Sequence, residues 1–378
     1  MTPWGAVEPW DGSAPLDWAV AADDRWHRPA AEPTVRQRRV AGTPVVETRV
    51  RIPGGDAVQQ VWSVADGAGC TLVEIANESP LPIAVAFTRP DVLTSRPPTG
   101  VPIEGIDLPA GSVLVPIGHR SRVVVGLAHD GRGPGPLPAG LAPPDAVVRG
   151  WQTLVERAGQ LDLPEGRWVD MVAATRAELL LAGVADPGDD PVAFLIGVGE
   201  LVRLGELDQA GAGAGAPDVA AAVEAVARTD GWEVDAALGA AARVLHHAGD
   251  GRAVGDVGAL VARRGVAAPV PVDVEPPSGP LGIAFVERLL AADGSLLPSG
   301  WPTGWRGAPI EARRLPVGLA STLSFAIRWH GEHPAVLWEV TGPPAALSAP
   351  VVAETWQTTA PTGETLWRTV GGGGGPVT

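Results

Sequence analysis

At 378 residues the chain is too long for one ordinary hydrophobic core and predicts two or three domains. A formal charge of −15 argues against nucleic-acid and anionic-membrane partners, which need a basic surface; the one basic run, "RQRR" at 36–39, is too short to reverse that field. All 28 basic residues are arginine, which removes Schiff-base, pyridoxal-lysine and P-loop chemistry, and the single cysteine, Cys70, removes an internal disulfide and a multi-cysteine zinc site.

Residues 1–32, rich in Trp, Asp and Pro, read as an N-terminal arm that packs Trp4, Trp10, Trp18 and Trp26 onto other structure. From 33 to 130 short runs of β-branched residues alternate with turn material such as "PGGD", "DGAG" and "NESPLP". Val46, Thr48, Val50 and Ile52 fall on one strand face against Glu47, Arg49 and Arg51. That texture predicts an antiparallel β-sandwich, with Cys70 as a buried thiol in "GCTLVEI". A Gly/Pro linker follows at 131–144.

Residues 145–293 predict a helical domain. Pro144–Asp145, Asp190–Pro191 and Pro217–Asp218 each precede an apolar periodic run, as helix starts do. Val234, Leu238, Ala241, Ala242 and Leu245 share one face at helical spacing. Linked helix pairs of this kind build bundles or toroids. The glycine-rich "GAGAGAP" at 211–217 follows a helix rather than a strand and fits no nucleotide fingerprint, so it reads as a loop. Residues 294–370 form a C-terminal loop and β segment, and 371–378, "GGGGGPVT", a flexible tail. The fold class is thus multidomain α+β. No secretory signature opens the chain and no apolar run of about 18 residues occurs, so a cytoplasmic protein without a membrane partner is expected.

The densest chemistry lies in "SFAIRWHGEHPAVLWEV" at 324–340. As a hairpin turning at Gly331, it puts Phe325, Ile327 and Trp329 on one face, with Arg328 expected opposite Glu339. As a sugar platform, Trp329 or Trp338 stacks on a pyranose while Arg328, His330 and Glu332 bind hydroxyls. His330-x-x-His333 lacks the carboxylate spacing of a metal site, and neither metal nor cofactor is assigned. Trp301 and Trp305, in the Gly/Pro loop "SGWPTGWRG", complete the expected substrate-binding set. Carboxylates such as Glu165, Asp170, Asp190, Glu200, Glu233 and Asp235 cluster near helix starts, where they need no functional reason, and no catalytic pair is assigned. His246 and His247 read as helix-end surface residues.

The runs at 42–87 and 324–340 resemble actinobacterial glucoamylase-like and debranching glycosidases, in which a super-sandwich precedes an (α/α)6 barrel. About seven helices fit between 145 and 293, fewer than a full barrel, so the resemblance implies a degenerate member with a partial toroid. It implies a carbohydrate-related, glycosidase-like protein, weakly active or inactive, with an oligosaccharide or polysaccharide as partner. A non-catalytic structural or protein-interaction scaffold remains the alternative.

Overall fold

The computed structural model describes residues 1–206, 216–265 and 269–368. The fold is mixed α+β, with seven α-helices and four largely antiparallel sheets among those residues. Two units divide it, Met1–Trp151 and Gln152–Thr378. The tail 371–378 and all but the last two residues of the 211–217 loop lie outside the described residues.

The first unit contains two sheets. Strands β1 (Trp18–Ala21), β2 (Trp26–His27), β7 (Ile83–Phe87) and β9 (Val113–Ile117) form one, in the order β2-β1-β7-β9. The other runs β11-β8-β10-β6-β5-β4-β3, built from Gly135–Pro136, Leu93–Thr94, Arg122–Ala128, Cys70–Asn77, Gly55–Val64, Val46–Ile52 and Arg36–Arg39 in that order. Trp18, Val85, Phe87 and Val115 of the first sheet share one apolar cluster with Val50, Val61, Val73 and Val125 of the second. Burying alternate faces of both sheets against each other is what fixes their register. The expected arm 1–32 therefore supplies two strands, and Trp18 is a core residue. Hairpin β4–β5 turns through Pro53–Gly54, where Gly54 takes a φ of 77° and an added Cβ would meet Pro80 Cδ at 2.8 Å.

The outer face of the seven-stranded sheet is apolar too. Val45, Trp62, Val64, Cys70 and Leu72 form a second cluster, covered by Leu137, Leu141, Val147 and Val148. The 131–144 segment is thus pinned down, with Trp62 Nε1 donating to the Ala142 carbonyl at 2.9 Å. Burial pushes the Cys70 thiol pKa up, as suits an inert packed side chain. Helix α1 (Pro144–Val155) carries the chain into the second unit.

There, α2 (Gly166–Ala182), α3 (Pro191–Leu204), α4 (Ala216–Val226), α5 (Trp232–His247), α6 (Gly251–Arg264) and α7 (Pro280–Leu290) pack with two sheets. One sheet is β12-β15-β16-β17-β20, from Gln160–Asp162, Ile310–Pro316, Thr322–His330, His333–Thr341 and Thr362–Leu366. The other is β13-β14-β18-β19, from Ala291–Ala292, Ser295–Leu296, Leu347–Ser348 and Gln357–Thr358. Helical Leu201, Leu238 and Phe285 and sheet residues Ile310, Ile327 and Val336 belong to one continuous core, so the helical and C-terminal β segments fold as one unit.

Helix α3 is the central one, because it is apolar nearly all round and buried from Ala193 to Leu201. Asp190 caps it by accepting from the Ala193 N–H at 2.9 Å, with Pro191 at the first turn. Gly199 allows its close approach to α5, since a Cβ there would lie 2.9 Å from Ala240 Cβ. In hairpin β16–β17 the two-residue turn Gly331–Glu332 pairs His330 with His333, which puts Arg328 opposite Ala335 and Ser324 opposite Glu339. The expected Arg328–Glu339 pair is therefore not made. Arg328 instead reaches Glu311 on β15, at 3.1 Å. No helix among the described residues is long and apolar enough to cross a membrane.

Candidate functional site

The chemistry of the second unit gathers where α2, α3, α5 and α7 meet. Arg176 sits between Val172 and Leu179 on the buried face of α2, Glu200 between Ile196 and Leu204 on α3, and Glu287 between Ile283 and Leu290 on α7. Each charge thus occupies a position that helical spacing reserves for an apolar side chain. They tolerate it by saturating one another. Arg176, 3% exposed along its side chain, donates from Nε to Glu200 Oε2 at 3.0 Å and from Nη2 to Glu287 Oε1 at 2.8 Å. Its Nη1 donates to the Gly159 carbonyl at 2.7 Å. Arg203 Nη1 bridges the remaining oxygens, Glu200 Oε1 and Glu287 Oε2. Gly159 makes room for this, because at a φ of 145° its missing Cβ would stand 3.3 Å from Arg203 Nη2 and 2.8 Å from the Arg313 carbonyl oxygen.

The electrostatics follow from that geometry. Burial alone would raise the Glu200 pKa, but the charges of Arg203 and Arg176 outweigh it and hold the carboxyl below the usual carboxylate range. Arg203 is likewise raised, because Glu200 and Glu287 override the cost of burying it. Glu200 and Glu287 have all four carboxylate oxygens engaged by Arg176 and Arg203, a poor arrangement for donating or accepting a catalytic proton.

Beside this cluster lies a cavity of about 340 Å³. Its walls follow helical spacing: Ile196 and Glu200 on α3; Asp235, Gly239 and Arg243 on α5; Val254, Val257, Gly258 and Val261 on α6; Ala284, Glu287 and Arg288 on α7. Pro316 to Leu319 close another side, and the exposed Val261 and Leu319 lie at its edge. Asp235 is taken by Arg264 at 3.2 Å. Among the described residues, Arg288 pairs with the exposed Asp293, at 3.9 Å. Arg243 makes no hydrogen bond or ion pair among the described residues, and the buried Nε atoms of Arg243 and Arg288 are both unpartnered.

A second cleft, of about 250 Å³, opens in the first unit among Trp10, Ser63, Thr71, Arg89, Asp91 and His129. Trp10 is 87% exposed and meets the His129 ring edge-on at 5.3 Å. Arg89 forks onto Asp91 through Nε to Oδ1 at 2.9 Å and Nη2 to Oδ2 at 2.5 Å. His129 Nε2 hydrogen-bonds Thr71 Oγ1 at 3.0 Å.

The expected substrate set is dispersed. Trp301 and Trp329 do meet, half-buried, with ring centroids 5.2 Å apart, and Trp329 Nε1 is buried without a partner. Arg328 points to the other sheet face and His330 is exposed at the hairpin turn. Trp305 is 1% exposed and packs on Trp168 at 5.6 Å, inside the core rather than on a cleft. Trp301 and Trp305, neighbours in sequence, pack on different rings, Trp329 and Trp168. His246 and His247 are exposed at the end of α5. Sequence reasoning singled out Glu200 and Asp235 only as generic carboxylates and missed Arg176, Arg203, Arg243 and Glu287. The readable signal was a charge at an apolar helical position. No protein-family model matches the chain, and no curated protein and no solved structure matches it either.

Proposed function

We propose that this is a non-catalytic ligand-binding protein whose second unit holds a small, mainly apolar molecule between α3, α5, α6 and α7. The observation that carries this is the cavity itself, walled by Ile196, Leu238, Val254, Val257 and Ala284, with a volume of about 340 Å³. That falls within the range of roughly 300–1,000 Å³ typical of small-molecule sites. Hydrolysis by a carboxylate pair would need groups free to exchange protons, and Glu200 and Glu287 are instead locked by Arg176 and Arg203. The two-sheet first unit and the helical second unit support the reading of a sandwich followed by a partial toroid. On that reading the chain has a glycosidase-like shell without its acid/base chemistry.

The second reading is a saccharide subsite at Trp10. An exposed indole beside the Arg89–Asp91 fork and His129 offers a stacking face and hydroxyl partners together, which Trp301 and Trp329 do not. One set of titrations separates the two. Isothermal titration with 1-octanol should saturate at one site per chain and weaken strongly in Gly258→Leu, which projects a side chain from the cavity wall where a Cβ meets no atom within 4 Å. Absence of saturable binding would sink the cavity reading. A saturable fluorescence change with maltose, lost in Trp10→Ala, would establish the saccharide site instead.

A further inference from the structure

Arginine is an expensive residue to bury without a partner, because an unpaired guanidinium gives up its hydration and gains nothing in return. Arg176 and Arg203 avoid that cost by sharing Glu200 and Glu287, and Arg264 avoids it through Asp235. Arg243 does not. It stands on the cavity wall, one helical turn after Gly239, whose missing side chain leaves space in front of the guanidinium; a Cβ there would sit 3.5 Å from Arg243 Nη1. Arg288, also on the wall, keeps a buried Nε unpartnered.

We infer that the ligand of this cavity is a monoanionic carboxylate on a short apolar chain, with its carboxylate seated on Arg243. This rests on the binding role proposed above and names the ligand's class. The apolar walls on α6 suit the chain, while the guanidinium fork suits a planar carboxylate. A phosphate dianion fits less well, since Glu200, Glu287, Asp235 and Asp293 line the same space and their repulsion, felt by any anion, doubles for a dianion. Burial, with the charge of Arg203 next, brings the Arg243 pKa down to about 10, so the group is still charged at neutral pH.

The test compares octanoate, 1-octanol and octylamine by isothermal titration at pH 7. Octanoate should bind about ten- to a hundredfold more tightly than 1-octanol, the range for one charge-assisted hydrogen-bonded pair. Octylamine should bind more weakly than either. In Arg243→Met the octanoate preference should vanish while 1-octanol binding persists, and the ligand-free melting temperature should rise. Arg243→Lys, which keeps the charge and loses the fork, should retain part of the preference and serves if the methionine variant fails to fold. Equal affinity for octanoate and 1-octanol, or a preference for octylamine, overturns the anion inference and leaves the cavity reading intact. A preference that survives both substitutions overturns the assignment to Arg243. Failure of all three probes to bind overturns the cavity reading itself.

Discussion

Arg176→Met is expected to destabilise the chain by about 3–5 kcal/mol in urea unfolding, with the slope of the transition unchanged. The substitution keeps the volume of the stem and removes three donors, to Glu200, Glu287 and the Gly159 carbonyl. Two carboxylates then share one bridging guanidinium, Arg203, in a largely buried site. Adding Glu287→Gln removes the surplus negative charge, so the double variant should be less damaged than the two single losses summed. The acid limb gives an independent readout. Because Glu200 is held below its ordinary value of 4.5, its contribution is present above that value and is lost as pH falls through the lower folded one. Without Arg176 the folded pKa rises, and that contribution should shrink and be lost at higher pH. An Arg176→Met protein as stable as the parent would mean the cluster is not the electrostatic keystone of the second unit.

Trp305→Ala should cost a similar amount, about 3–5 kcal/mol, through lost burial and the cavity left behind. Trp305 begins a row of rings: it meets Trp168 at 5.6 Å, Trp168 meets Phe285 at 6.4 Å, and Phe285 meets Trp232 at 5.6 Å. That row ties the 299–307 loop to α2, α7 and the start of α5. Trp301→Ala, at a half-buried position, should cost clearly less, and the comparison by urea unfolding decides whether depth or aromatic identity governs the loop. Octanol and maltose titrations of Trp305→Ala under conditions where it remains folded should match the parent, since its ring lines neither cleft.

Most strands and helices were legible because their apolar periods are local. The β-branched runs at 46–52, 70–77 and 122–128 and the apolar face of α5 announce themselves, and Asp190–Pro191 marks a helix start by its own capping chemistry. What the sequence hid was long-range. Trp18 read as part of an arm packing onto unspecified structure, because the strand partner that places it in the core, Phe87, lies far along the chain. Glu200 resembled any helical carboxylate, since nothing near it reveals Arg176 and Arg203 closing on both its oxygens. Trp305 looked free because its loop is rich in glycine and proline, and only tertiary packing decides which indole of such a loop turns inward. The candidate cavity was illegible for a further reason: its character comes from groups that lack partners, and a sequence does not show what fails to meet.

Strand β3 lies at the end of the seven-stranded sheet and is exposed along its whole length, Arg36–Arg39. An outermost strand of this kind leaves a row of backbone donors and acceptors open to pairing with another chain, the usual starting point of sheet-to-sheet aggregation. Three of its four residues are arginines, and Arg36 and Arg38 are anchored to the buried carboxylates of Asp56 and Glu47 at 3.1 and 3.0 Å. A second copy docking there would have to strip water from like charges set side by side. The one basic run of an acidic chain thus lines the open edge of the first unit's largest sheet with charge, the kind of residue that opposes edge-to-edge pairing.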